Sequence, residues 1–468
     1  MQENIGEVAK TATIYLPQKI NPTKIMESYT DRRYSDDVTI NADKAAYIIS
    51  RITALPQYEV SNPWSDSNAY TGFTPIKAQY LQDMGVNGYR GIINHLTGEG
   101  IIESDGYYIK GEKSLGYKYI DSKYYRKPLI SYKITYPPIV ENYGERRVND
   151  HAKATYEHLH KYSFSDKLVM DDKVLDEIFR LKSDKKLTQP QLKNITTHEA
   201  IVNQFIDKES IFRTDDFGGR LYTGMGIMKS ELRSFITYDN QELVGLDLSN
   251  AQLFLFQIFL EDNELAPGII VGNYGVGKTE EIKAIKIPPA EVELYKSWVN
   301  SATLYEELGR RYKKVIGKEI ERKILKKNIL TLFYGKNEDV KNYKITEVFV
   351  SVFPNVYKLI ECFRQETQSK GISTDKEHTL FSRMMHKLEV NVFLDSICKE
   401  MELKHPEIPI FPIHDCIVTT EGCMAELKEV MNDVILKMIG EEPIIKYEPF
   451  KEIREGFNFR ELLEKKKT

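Results

Sequence analysis

Apolar positions in the first third of the chain change their period within a few dozen residues. Ile76, Tyr80 and Leu81 and then, past a break at Gly85, Tyr89, Ile92, Ile93 and Leu96 recur at helical spacing, which predicts two helices joined by a tight turn. Behind them "IIESDGYYIKG" and "SLGYKYI" are short, strand-like runs joined by a Gly-containing loop. Residues 1–40 are polar and irregular, and 126–150, rich in Tyr and Pro, read as a connector. From 151 to 210 the pattern turns helical, as in "DKVLDEIFRLKSDKK", and 211–468 alternates short apolar runs with long amphipathic helices. The expected class for this larger part is α+β.

Two of the short apolar runs each carry one acid. "ELVGLDL" holds Asp247 near its end, and "IPIFPI" leads into His414, Asp415 and then "CIV". An ionised carboxylate in a buried strand is costly without a partner or a metal. Two such acids from separate strands suit a pair of hard divalent cations, which prefer oxygen ligands and can drive an in-line phosphoryl displacement. Either acid alone also reads as a cap on a strand-end turn. A third segment bears on the pair: in "ERKILKKNILTLFYGKN", Arg322, Lys326, Leu330 and Tyr334 recur every four residues along a helix ending at Gly335. Two cations one turn apart with an aromatic beyond them suit a triphosphate held by Arg322 and Lys326, its base or sugar beside Tyr334. A solvated basic face is the bland alternative.

Composition narrows the picture little. Hydrophobic content of 41% and charge of 29% are ordinary for a soluble protein. No run reaches the ~18–20 apolar residues of a membrane span, and the N-terminus has no signal-like segment. A cytoplasmic location without a membrane partner is the expectation. The net charge of −4 gives no global case for nucleic acid, so such binding rests on local basic stretches such as "GKEIERKILKK". The four cysteines fit no zinc spacing and read as free thiols. "GNYGVGKT" at 272–279 fills every fixed position of a phosphate-binding loop, a P-loop ATPase signature. Only "EEIKAIKI" follows before Pro288-Pro289, too little for the required helix, so a turn or surface hairpin is expected there.

Residues 41–125 resemble the winged helix-turn-helix of replication initiators and transcription regulators. The resemblance implies that the second helix enters the major groove with Arg90, Asn94 and His95 as base contacts, and that Lys110 and Lys113 lie near phosphates. The larger part resembles the family A DNA polymerases and their relatives, the single-subunit phage and mitochondrial RNA polymerases. "DLSNAQL", "RKILKKNILTLFYG" and "PIHDCIV" look like the family's motifs A, B and C in order, with "DDFGGRLYTGMG" similar to its G-R-[LV] segment. The implied fold is a right hand of antiparallel palm, helical fingers and a helical thumb over 151–210, with palm and fingers over 211–468. By that resemblance Asp247, Asp415 and the Leu248 carbonyl are metal ligands for two Mg2+, or Mn2+. Arg322 and Lys326 clamp the triphosphate, Lys326 protonates the leaving pyrophosphate, Tyr334 stacks near the templating position, Arg220 contacts primer-template DNA, and His414 sits by the primer terminus.

Gln252, where DNA polymerases of this family usually keep Glu against a ribose 2′-hydroxyl, favours deoxynucleoside triphosphates. "LTLFYG" and "GGRLY" look more like the RNA polymerase versions, and Leu330 replaces an aromatic of the DNA enzymes. A single-subunit RNA polymerase or primase using ribonucleotides stays open, as does a non-enzymatic DNA-binding regulator with a decayed palm. Glu389 stands about where the bacterial enzymes have Gln, and no proofreading segment appears in the first 150 residues. The architecture implies replication of a phage, plasmid or mobile element.

Overall fold

The computed structural model describes residues 11–31, 33–54, 72–110, 113–261, 284–335, 340, 343–365 and 378–463. The loop-like segment at 272–279 lies outside the described residues. The chain is a mixed α/β protein that divides into two compact units, one from residues 1–213, 222–240 and 451–467 and the other from 214–221 and 241–450.

The first unit opens with β1 (Ala12–Pro17), buried along its whole length. It pairs antiparallel with β5 (Leu129–Ile134), in a register running from Ala12 opposite Ile134 to Pro17 opposite Leu129. Both segments depart from the expectation of an irregular start and a connector. "ATIYLP" is β-branched and aliphatic, but its partner lies far along the chain, so no local period announces it. Helix α1 (Val38–Thr53) starts at Asp37, whose carboxylate accepts the Thr39 amide at 2.7 Å, and is buried over most of its length.

Against α1 pack β2 (Thr74–Pro75), α2 (Ala78–Asp83), α3 (Tyr89–Gly98), β3 (Ile102–Ser104) and β4 (Gly116–Tyr119), the strands in the order β2-β4-β3. Gly85 ends α2 with φ +78°, and a Cβ there would lie 2.5 Å from the Pro138 side chain, so both conformation and space demand glycine. The 151–210 stretch is mainly helical and ends in α4 (Gln189–Ile206). There Lys182 and Glu199, 1% and 0% exposed, pair at 2.5 Å. The Lys182 ammonium also donates to the Lys127 carbonyl, and Glu199 accepts the Leu129 amide at 2.7 Å. Strand β6 (Leu168–Met170) pairs with β7 (Ile236–Tyr238). Residues near the far end of the chain close this unit: Asn194 donates to the Leu462 carbonyl at 2.7 Å and Arg454 to that of Ser234 at 3.1 Å.

In the second unit β8 (Gln241–Leu248) is a central strand, flanked by antiparallel partners. After it come α5 (Ala251–Leu255), α6 (Leu304–Ile316), α7 (Arg322–Tyr334) and α8 (His378–Val392). The sheet is completed by β9 (Phe411–Ile413), β10 (Cys416–Thr420) and β11 (Ile445–Pro449), while α9 (Met424–Ile439) packs on β8 and β10. An aromatic cluster of Phe256, Phe333, Phe363 and Phe381 holds the helices together, with Phe363 and Phe381 stacked at 5.2 Å. Among the described residues no helix is long and apolar enough to cross a membrane.

Candidate active site

Pairing of β8 with β10 sets Asp247 opposite Cys416, next to Asp415 in the chain. The turn from β9 to β10 consists of His414 and Asp415 alone, with Ile413 opposite Cys416. His414 takes φ +58°, a left-handed conformation that a non-glycine residue holds at a cost and that clusters at functional sites. The Leu248 amide donates to the Asp415 carbonyl at 3.1 Å, which keeps the ends of the two strands together. On the other flank β11 sets Lys446 opposite Asp247 and Glu448 opposite Gly245. Directly paired residues share a face, so Glu448 and Lys446 join the acids' side of the sheet. Gly245 makes room: a Cβ there would lie 3.0 Å from the Cys416 sulfur and 3.6 Å from the Glu448 Cβ.

The electrostatics follow from this crowding. Burial first, then the carboxylates of Asp415 and Glu448, push Asp247 up to about 7, against the pull of Lys446 and Lys326. Burial likewise raises Asp415, with Arg220 and Lys326 opposing and Glu448 reinforcing. The charge of Lys326 on α7 thus favours the ionised form of both acids. Its neighbour one turn earlier, Arg322, is engaged elsewhere: its Nε donates to Glu306 at 2.7 Å and its guanidinium lies 5.3 Å from the Tyr305 ring centroid. Of the two residues expected to clamp a triphosphate, Arg322 is thus paired with Glu306. The Arg322–Glu306 pair is half exposed.

At the other end of α7, the Tyr334 hydroxyl donates to Gln252 Oε1 at 2.5 Å, and its ring lies 5.6 Å from that of Phe381. Gln252 in turn donates to Glu389. Glu389, 2% exposed, takes Arg220 in a two-point grip, Nε at 2.9 Å and Nη2 at 2.7 Å. Tyr334, Gln252, Glu389 and Arg220 therefore form one hydrogen-bonded chain from α7 to the 214–221 segment. Arg220, expected to face nucleic acid, spends its guanidinium on that buried carboxylate. Arg220, Glu389, Pro412 and His414 line one cleft.

In the first unit Arg90 and Asn94 lie exposed on α3 and Lys110 is exposed beyond β3. Two expected contacts are used internally. His95 Nε2 sits 2.9 Å from the Ile25 carbonyl and its ring 5.3 Å from that of Tyr29, and Lys113 is bound to Asp105 at 2.6 Å.

Glu448 was not singled out in the sequence because its role depends on β11 pairing with β8. A carboxylate two residues from Lys446 on a period-two strand was the available signal. Among the described residues no group of three or more His, Cys, Asp or Glu side chains is gathered as a ready metal cage. Asp247 and Asp415 nonetheless fit a hard cation: both offer oxygen donors, and burial first, then the neighbouring carboxylates of Asp415 and Glu448, raise Asp247, so that its charged form lacks a sufficient partner.

No family model and no curated protein matches the chain. Among solved structures it is similar to the POL domain of Pol1 from M. smegmatis, a complex with DNA primer-template and dNTP, at 12% identity and a TM-score of 0.29. The match covers 66% of this chain and 64% of that one. A likeness at that score carries no argument about fold or activity, which leaves the residues of the site themselves.

Proposed function

We propose that the chain is a template-directed nucleotidyltransferase that consumes nucleoside triphosphates, a DNA-directed DNA polymerase in its simplest form. The observation that carries the reading is the pairing of β8 with β10, which brings Asp247 beside the turn that holds Asp415, with the charge of Lys326 acting on both. Asp247, Asp415 and the Leu248 carbonyl would hold Mg2+, with Mn2+ as a substitute. Bound there, divalent cations supply activation of the attacking hydroxyl and neutralisation of the leaving oxygens.

The chain's own residues do the rest. As the primer 3′-hydroxyl loses its proton to solvent and its oxygen bonds to the α-phosphorus, the bond from that phosphorus to the β-phosphate oxygen breaks and pyrophosphate departs, taking a proton from Lys326, which regains one from solvent. Arg322 grips the outer phosphates once it exchanges Glu306 for them. Tyr334 lies against the base pair being formed, Gln252 near the sugar, and Arg220 and His414 near the primer terminus. In the first unit α2 and α3 act as a helix-turn-helix, with Arg90 and Asn94 reading a DNA duplex and β3 and β4 as the wing.

Primer extension with Mg2+, offering deoxynucleotides and ribonucleotides separately, tests this. Deoxynucleotide incorporation by the wild type and its loss in Asp415→Ala are expected. Failure of the wild type to extend with either set ends the reading, and extension that survives Asp415→Ala moves the metal site elsewhere. A second reading, an RNA polymerase or primase working through the same acids, draws on Leu330, half-buried on α7 where the DNA enzymes carry an aromatic. Preferential ribonucleotide incorporation would select it.

A further inference from the structure

The loop joining β3 to β4 presents two adjacent aromatic side chains to solvent: Tyr107 is 57% and Tyr108 62% exposed. The loop is braced from within. Ile109 and Lys113 exchange backbone hydrogen bonds of 3.0 and 2.9 Å. The Lys113 ammonium bonds Asp105 at 2.6 Å and the Tyr107 carbonyl at 2.9 Å, and lies 4.6 Å from the centre of the Tyr107 ring. Asp105 also accepts the amides of Tyr107 at 3.2 Å and Gly116 at 3.0 Å. Lys113 and Asp105 are therefore occupied in holding the loop and its first ring in place.

The Tyr108 ring takes no part in that bracing. Turns close with small or polar residues that satisfy the backbone locally, and Tyr108 has no hydrogen-bond or ring partner among the described residues. Two neighbouring rings, one underpinned by a cation, beside the exposed Lys110, match what a single nucleic-acid strand needs. Such a strand requires flat faces for unstacked bases and a positive charge for its phosphates. A duplex interior offers no free base face to them.

We propose that Tyr107 and Tyr108 form a stacking platform for unpaired bases of a nucleic-acid strand, with Lys110 against its phosphates. The choice of a nucleic-acid occupant rests on the reading above, but no step at Asp247 or Asp415 enters it. Lys113 acts as a positioning residue that fixes the Tyr107 ring.

The test uses the full chain carrying Tyr108→Trp, titrated with a short single-stranded oligonucleotide, a blunt duplex of the same sequence, and vesicles of phosphatidylserine and phosphatidylcholine. The introduced indole is expected to be quenched by the single strand well before the duplex, and not by vesicles. Tyr107→Ala with Tyr108→Ala is expected to weaken single-strand binding by about thirtyfold or more. The paired Tyr→Phe changes should retain it, since stacking uses the ring and not the hydroxyl. Thermal unfolding of each variant checks that the fold is kept. Single-strand affinity unchanged in the double alanine variant, or quenching by vesicles alone, overturns the proposal. If the wild type still extends primers in that case, the reading of the acid site stands without it. If strand binding depends on both rings while no primer is extended, the platform stands and the catalytic reading falls.

Discussion

Asp247 titrates near neutrality because burial and the carboxylates of Asp415 and Glu448 raise it to about 7, against roughly 3.9 in an unfolded chain. Between about pH 4 and 7 the native state thus holds a proton that the unfolded state has lost, so this group makes metal-free stability fall as pH rises through that window and then level off. A divalent cation must displace the same proton. Thermal unfolding with and without Mg2+ is expected to show a larger stabilisation by the cation at pH 8 than at pH 5.5. Calorimetry in buffers of different ionisation enthalpy should register proton release on binding near pH 6 that fades by pH 8.5. Asp247→Asn should remove this group's share of the metal-free pH dependence and weaken both effects, leaving the part that burial of Asp415 contributes. Equal stabilisation at the two pH values would mean that no cation reaches this carboxylate. Asp247 and Asp415 were legible in the sequence because a lone acid inside an apolar run is a local anomaly. Glu448 and the Glu389–Arg220 grip were not, since each gains its meaning from a residue brought near only by the fold.

On the scale of elements, α7 divides its cations between two tasks. The charge of Lys326 acts on the acids while Arg322 rests on Glu306 at 2.7 Å, and so exposed a pair contributes only about 0–1 kcal/mol. Glu306→Gln is therefore expected to leave urea unfolding within about 0.5 kcal/mol of wild type. If Arg322 grips the outer phosphates, the same change should lower KM for the triphosphate by roughly two- to fivefold with kcat little altered, because the arginine no longer has to leave a carboxylate. An unchanged KM would detach Arg322 from substrate binding. Helical period was enough to foresee α3 and α7, whose apolar faces repeat within the helix itself. It was not enough for β1, six residues whose burial exists only through β5. Nor could it reveal that His95 and Lys113, polar residues of types that often face solvent, are used for internal bracing.

At the level of the whole molecule, the first unit depends on a buried charge pair that ties α4 to the segment before β5. Lys182→Met strands Glu199, which is fully buried and accepts the Leu129 amide, and is expected to cost about 3–5 kcal/mol in urea unfolding. Adding Glu199→Leu should recover much of that loss, because an apolar pair of similar volume removes the stranded charge. A double variant no more stable than the single one would show that the backbone bonds of the pair outweigh its charges.

The same unit sets an order on how the chain matures. Its parts are residues 1–213, 222–240 and 451–467, with most of the other unit encoded between the last two, and Leu462 is 1% exposed. On a ribosome adding about 5–20 residues per second, the intervening stretch takes roughly 10–50 s to emerge. During that interval the first unit waits with its closing segment unmade, and the sheet bearing Asp247 likewise waits for β11 (Ile445–Pro449), made just before that segment. Residues 1–213 are thus sealed into their unit only when residues 451–467 have followed the stretch that carries Asp247 and Asp415.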